Sequence, residues 1–227
     1  MWTPPNPDGR WPNDHTLYAA VSGGGKSQAM LQNNKIPAKG ARVILWDHAP
    51  DHPGDHYRTK KGFLTALKAG ITRNLKSGTG FRVAFSGPRT VENYEWWCEV
   101  VWRCLDGRYR TYVLAEELSA VSVSTAKATP MAAILLNEGR KYGMVFHGTT
   151  QRPQEIPKTY FEQCEHKYVG QQKTLKQKRR MAEEIGVTVE EISALDKLQF
   201  YVDDGSAKAP DLITLEGKSP GKIRWGD

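Results

Sequence analysis

The sequence predicts an α/β domain with a central, mostly parallel sheet flanked by helices, and three observations carry that prediction. The stretch Ala20-Val21-Ser22-Gly23-Gly24-Gly25-Lys26-Ser27 follows an apolar run and leads into a helical segment, the setting of a phosphate-binding loop between strand and helix. Arg42-Val43-Ile44-Leu45-Trp46 and Thr111-Tyr112-Val113-Leu114-Ala115 are mostly apolar and of strand length, as expected for strands buried on both faces. Such runs alternate with segments of helical period, the order that builds a parallel sheet covered by helices.

Composition narrows the class. A chain of 227 residues suffices for one large core, so a single domain is expected. Its formal charge of +7 favours a polyanionic partner. Three cysteines without C-x-x-C spacing point to free thiols in a reducing compartment. No run approaches the roughly 18 apolar residues of a membrane helix, and Met1-Trp2-Thr3-Pro4-Pro5 lacks the pattern of a signal peptide, so a soluble protein is expected.

In chain order, residues 1–14 hold four prolines and read either as an extended arm, placed to lie over a neighbour through Trp2 or Trp11, or as a disordered leader. A first strand is expected over His15 to Val21 and a helix over Lys26 to Asn33, closed by Pro37 and Gly40. After the strand ending at Trp46, residues 47–56 repeat Asp-His and carry three of the six histidines. Pro50, Pro53 and Gly54 exclude the helix on which four-residue spacing would align metal ligands, so an exposed loop touching nucleotide, DNA or a neighbouring subunit is expected. A helix over Lys61 to Leu75, a strand over Phe81 to Ser86 and an amphipathic helix over Thr90 to Leu105 follow. The tryptophans of that last helix read as packing residues. Next come the strand Thr111 to Ala115, a helix from Thr129 to Tyr142 with Pro130 in its first turn, and the strand Met144 to Thr150.

Beyond a further strand at His166 to Gly170 lies a helix rich in Lys173, Lys176, Lys178, Arg179 and Arg180, suited to phosphate contact without sequence reading or to a solvated face. Thr188 starts another helix in capping-box fashion. Leu198 to Val202 and Leu212 to Leu215 suggest a closing hairpin, and the tail at Arg224-Trp225 is free to meet a neighbour or a portal. The division is thus an arm at 1–14, a core at 15–170 and a small helical and hairpin extension at 171–227 within the same domain.

Chemistry concentrates at two places. In the loop, backbone N–H groups from Ser22 to Gly25 are available to wrap the phosphates of a nucleotide, Lys26 supplies charge to the outer phosphates, and Ser27 is placed to ligate Mg²⁺. Ala20 stands where the first glycine of such loops belongs, which leaves the tight turn to Gly23, Gly24 and Gly25. The strand ending at Ala115 delivers Glu116 and Glu117 to the carboxyl edge of the sheet, beside the loop. Glu116 suits Mg²⁺, and Glu117 suits polarising an attacking water.

The block Glu138-Gly139-Arg140-Lys141-Tyr142-Gly143, an apolar strand, Thr150-Gln151-Arg152-Pro153 and Glu155-Ile156-Pro157-Lys158 resembles the FtsK–HerA superfamily of hexameric DNA-pumping ATPases. The resemblance covers roughly residues 15–170 and implies a RecA-like (ASCE) P-loop NTPase fold. It also implies that Gln151, ending a strand between the loop strand and the acidic strand, senses the γ-phosphate. Arg140 is implied as the finger reaching a neighbouring subunit, with Arg152 the second candidate. Glu116 departs from the family's usual Asp and reaches one methylene further.

The small size resembles the genome-packaging ATPases of tailless, tectivirus-like viruses with an internal membrane. The resemblance then implies ATP and Mg²⁺ as cofactors, double-stranded DNA as cargo, a homo-oligomeric ring, expected to be a hexamer, and packaging-vertex or portal proteins as partners. It implies no direct membrane insertion and a place in the host cytoplasm and at the virion packaging vertex. Alternative readings are a conjugative or chromosomal DNA-pumping ATPase, a nucleotide-gated assembly protein, and a small-molecule kinase, against which the paired acids and sensor glutamine argue.

Overall fold

The apolar runs become the interior of one sheet. The structure, a computed structural model, describes residues 2–227. The described residues form ten strands: β1 (Thr16–Ala19), β2 (Arg42–Trp46), β3 (Gly54–Tyr57), β4 (Phe81–Phe85), β5 (Thr111–Ala115), β6 (Met144–Thr150), β7 (His166–Val169), β8 (Gln199–Asp203), β9 (Asp211–Thr214) and β10 (Ile223–Gly226). Their spatial order is β10-β3-β4-β2-β5-β6-β1-β7-β8-β9. From β10 to β7 every neighbouring pair is parallel, and β8 and β9 extend the β7 edge as an antiparallel hairpin. β6 lies between β1 and β5, the place the family resemblance implied for it. Because these strands run parallel, their carboxyl ends open on one edge.

Helices cover both faces. α1 (Lys26–Gln32) follows the glycine-rich loop, and α2 (Lys60–Ser77), α3 (Val91–Cys104) and α4 (Pro130–Glu138) follow β3, β4 and β5. Thr59 and Thr90 cap α2 and α3 by accepting from the N–H groups of Gly62 and Asn93. Alternate residues of β2 enter different clusters. Ile44 and Trp46 pack with Phe63, Trp97 and Val113 on the α2–α3–α4 side, while Val43 and Leu45 pack with Tyr18, Met30 and Phe200 on the α1 side. Double-sided burial explains the unbroken apolar run. The α3 tryptophans serve packing as expected: Trp97 and Trp102 are buried, and Trp96 packs edge-on against Phe63 and Phe85. The chain continues through α5 (Lys158–Gln163), α6 (Leu175–Ile185) and α7 (Val189–Ser193), the last opened by a complete Thr188–Glu191 capping box.

Three segments depart from the sequence reading. Residues 47–56 are not an exposed loop: Asp47, His52 and His56 are buried, and Gly54–Tyr57 is strand β3. The proline-rich arm lies over its own chain. Trp102 Nε1 donates to the Trp2 carbonyl, Asn6 Nδ2 to the Asp106 carbonyl, and Asp8 N to the Lys141 carbonyl. The tail, expected to meet a neighbour, pairs as β10 with β3, and Arg224 forms an ion pair with Asp55. In each case the partner lies far away in sequence, where local patterning carries no signal. No helix among the described residues is long and apolar enough to cross a membrane.

Candidate active site

The glycine-rich loop leaves the carboxyl end of β1 and turns through left-handed backbone at Gly23 (φ 71°) and Gly25 (φ 104°), conformations that glycine adopts without penalty. Gly24 N donates to the Val21 carbonyl at 3.0 Å, and a Cβ on Gly24 would lie 3.1 Å from that same oxygen, so the turn is tight on its inner side. Ala20, in place of the first glycine, is fully buried and packs in the α1-side cluster. Its methyl group fits because the turn is made further along. Lys26 is buried, and its Nζ donates to the carbonyls of Ala20 (3.0 Å) and Val21 (3.1 Å). Burial lowers its pKa, and the nearby charges of Glu117, Glu116 and Asp51 oppose that shift.

Glu116 leaves the end of β5 into a set of partners that the sequence reading missed. His52 Nε2 donates to Oε1 at 2.5 Å, and Thr149 Oγ1 on β6 donates to Oε2 at 2.5 Å. His52 is aimed by Asp47, whose carboxylate accepts from the N–H groups of Asp51 and His52 and folds residues 47–52 into a turn. Burial alone would raise the Glu116 pKa. The hydrogen bond and charge of His52, with help from Thr149 and Lys26, outweigh it and hold the carboxyl below its ordinary value. For His52 burial opposes the charged ring, but Glu116 and Asp47 win and raise its pKa. The two therefore face each other as an ion pair. Ser27 Oγ lies 3.3 Å from Glu116 Oε1 and 3.4 Å from Asp51 Oδ2. These oxygen donors are the hard ligands that Mg²⁺ takes. The Asp51 pKa is raised by burial and by the charges of Glu116 and Asp47, a crowding of acids that a divalent cation would relieve.

Glu117 occupies left-handed backbone (φ 56°), uncommon for a residue with a side chain and typical of strained functional sites. Its N–H donates to Thr149 Oγ1, and its Oε1 accepts from Ser119 Oγ at 2.5 Å and Gln151 N at 3.3 Å. This backbone turn directs the second acid away from the first and toward Gln151, the residue that follows β6. Gln151 itself is fixed from behind, because its carbonyl accepts from Gln177 Nε2 of α6.

These groups line one cleft of about 470 Å³ that brings together Ser22, Gly23, Gly25, Lys26, Ser27, Glu116, Glu117 and Gln151. Arg89 after β4, His48, and Lys197 and Leu198 before β8 add to its rim. Leu198 N donates to the Gly24 carbonyl, so the extension closes directly onto the loop. Thr149 lies in a strand that is buried throughout, and its hydroxyl serves both glutamates. Arg152 flanks the cleft beside Gln151, with its guanidinium largely exposed and 3.3 Å from Glu155. Arg140 is not brought to the cleft. It precedes the amino end of β6, seven residues or about 20 Å from the carboxyl end, and its guanidinium donates to the carbonyls of Gly9 (3.1 Å) and Trp11 (2.5 Å) of the arm.

A parallel sheet with a Gly-Lys-Ser loop after β1, paired acids after β5 and a glutamine after the strand between them defines a RecA-like P-loop NTPase. No family model matches the chain. It is 33% identical over 201 residues to Protein P9 of Pseudoalteromonas phage PM2, covering 86% of this chain and 88% of that protein. The chain belongs to the family of this phage protein. Two solved structures share the fold. The genome-packaging NTPase B204 of Sulfolobus turreted icosahedral virus 2, in complex with AMPPCP, is 14% identical with a TM-score of 0.71, covering 91% of this chain and 100% of that one. VirB4 of Thermoanaerobacter pseudethanolicus is 10% identical with a TM-score of 0.61, covering 95% and 96%.

Proposed function

We propose that this chain is an ATP-driven translocase that packages double-stranded viral DNA into a preformed capsid, working as a homo-oligomeric ring, expected to be a hexamer, at a packaging vertex. The observation that carries the reading is the convergence of Lys26, Ser27, Glu116, Glu117 and Gln151 on one cleft, in a fold shared with a viral genome-packaging NTPase. Kinship with a phage protein favours this over a conjugative pump, which the likeness to VirB4 supports at the level of fold alone.

In this reading Lys26 exchanges the carbonyls of Ala20 and Val21 for the outer phosphate oxygens of ATP. The N–H groups from Ser22 to Gly25 take the others. Ser27 and Glu116, with Asp51 beside them, would hold Mg²⁺, which would supply charge neutralisation on the phosphates. Glu117 accepts a proton from water as its oxygen attacks the γ-phosphorus and the bond to the bridging oxygen breaks. Gln151, tied to Glu117 through its own N–H, reports the loss of phosphate. Of the two arginines, Arg152 has a largely exposed guanidinium beside Gln151, while Arg140 uses only its Nη1 on the arm carbonyls of Gly9 and Trp11, so both stay candidates for the finger that reaches a neighbour's site. An exposed guanidinium held only at a rim salt bridge is free to offer its fixed donors to a transferring phosphoryl group.

Glu117→Gln tests the chemistry. Binding of a fluorescent ATP analogue should be kept while turnover falls on the order of 10²-fold or more. Unchanged turnover would remove Glu117 from the role of base, and wild-type turnover indifferent to duplex DNA would contradict the motor.

A further inference from the structure

At the strand ends opposite the nucleotide cleft lies a second cleft of about 460 Å³. Lys39 in the α1–β2 connection, Arg73 on α2, Arg82 on β4, and Lys222 and Arg224 of the tail face it, against a single acid, Asp55. That acid is already taken by Arg224. Among the described residues Lys39, Arg73, Arg82 and Lys222 have no carboxylate within ion-pair distance.

Arg82 is the most informative of the four. Its Nε donates to the Pro53 carbonyl at 2.9 Å, the side chain is half-buried, and that burial lowers its pKa with no acid to offset it. A guanidinium withdrawn from water without a counter-charge is costly, and an anion seated beside it recovers the cost. The lining between the cations is small: Pro37, Gly40, Ala41 and Gly80, with the one aromatic, Phe81, buried in the core. No exposed ring is there to stack a base, and no side-chain amide to read a base edge. Such a surface recognises phosphate charge and spacing, not sequence. The basic helix α6 is less suited, since Arg180 pairs with Glu184 and Lys178 Nζ is engaged by Ser193 Oγ.

We infer that this cleft is a sequence-independent grip for the phosphodiester backbone of double-stranded DNA, distinct from the nucleotide site. The inference rests on the reading of DNA as cargo. Three segments reach from one cleft to the other: α1 with its connection to Lys39, the turn from Asp51 to Pro53, and the tail from Gly217 to Lys222. Grip and nucleotide therefore share the elements through which either can influence the other.

The test uses the full chain and a fluorescent 30-base-pair duplex, followed by anisotropy across a salt series. Lys39, Arg73 and Lys222 are exposed, so a Lys39→Glu, Arg73→Glu, Lys222→Glu variant should keep the fold, checked by binding of a fluorescent ATP analogue. It should lose duplex affinity tenfold or more, and the slope of log K against log salt should become shallower by about 3, near 0.9 for each phosphate contact removed. A Lys176→Glu, Arg179→Glu variant of α6 should keep the wild-type slope. Wild-type affinity and slope in the triple variant would overturn the grip while leaving DNA as cargo. Failure of the wild-type chain to bind duplex, with or without the analogue, would overturn the cargo reading and the grip with it. Arg73→Cys carrying a photo-crosslinker gives a second readout that tolerates a weakened fold: it should crosslink to the duplex and Arg179→Cys should not, and the reverse pattern would also overturn the grip.

Discussion

The residue with the most consequence for this site is His52. Glutamate at position 116 carries its carboxylate one methylene further than aspartate, and the fold meets that reach with His52 Nε2 on one oxygen and Thr149 Oγ1 on the other. The imidazole is buried, so His52→Ala leaves the partly buried Glu116 without its hydrogen-bonded cation. Removing one partner of a buried pair costs about 3–5 kcal/mol. For a chain of this size thermal unfolding should then fall by about 10 °C, and an unchanged midpoint would show that the pair contributes nothing net. At this scale the sequence revealed the phosphate-loop residues and both glutamates, whose positions follow from strand ends. It hid His52 and Thr149, because their importance lies in what they touch across the sheet. The Asp-His repeat of residues 47–56 drew attention as spacing, yet Asp47 and His52 act by folding a buried turn, not by facing solvent.

Elements with local signatures were legible, and those built from distant partners were not. β2 and β5 were expected from apolar runs, β4 and β6 from segments of strand length between helical patterns, and α7 from its capping box. β3 and β10 pair across about three quarters of the chain length, with Gly54 beside Ile223 and Tyr57 beside Gly226, and their polar residues resemble loop sequence. The arm is equally opaque, since its prolines announce extension without saying where it lies. Asp14 marks the junction of arm and sheet. Its carboxylate accepts from Lys35 at 2.8 Å and Arg110 at 2.6 Å, which pins the start of β1 to the segment after α1 and to the segment before β5. Burial alone would raise the Asp14 pKa, but these two hydrogen bonds and charges outweigh it and lower the value below the ordinary 3.8. A carboxyl depressed in the folded state contributes stability that is fully present above its unfolded value and is lost as pH falls through the folded one. Asp14→Asn should therefore destabilise the chain at pH 7 by about 2 kcal/mol. The gap between variant and wild type should narrow below the ordinary carboxylate value, as urea unfolding at pH 7 and pH 3 would show. A gap independent of pH would mean that shape, not charge, makes the junction.

For the whole molecule, parallel strands gather the groups proposed to react at one edge and leave the opposite edge to the arm, to Arg140 and to the basic cleft. A single chain brings its own lysine, serine, acids and glutamine to the cleft, while the exposed Arg152 is available to a neighbour. If the site is completed between subunits, mixing wild-type chains with an excess of Arg152→Ala chains should depress turnover more steeply than the wild-type fraction falls. A strictly proportional decline would place all the chemistry within one chain. In the proposed motor, hydrolysis at this cleft moves DNA, and displacement of a labelled third strand from a duplex tests that coupling most directly. Wild-type protein with ATP should strip the third strand, while Glu117→Gln with ATP and wild type with a non-hydrolysable analogue should both leave it in place. Steady ATP consumption on duplex DNA without displacement, or displacement without nucleotide, would contradict it.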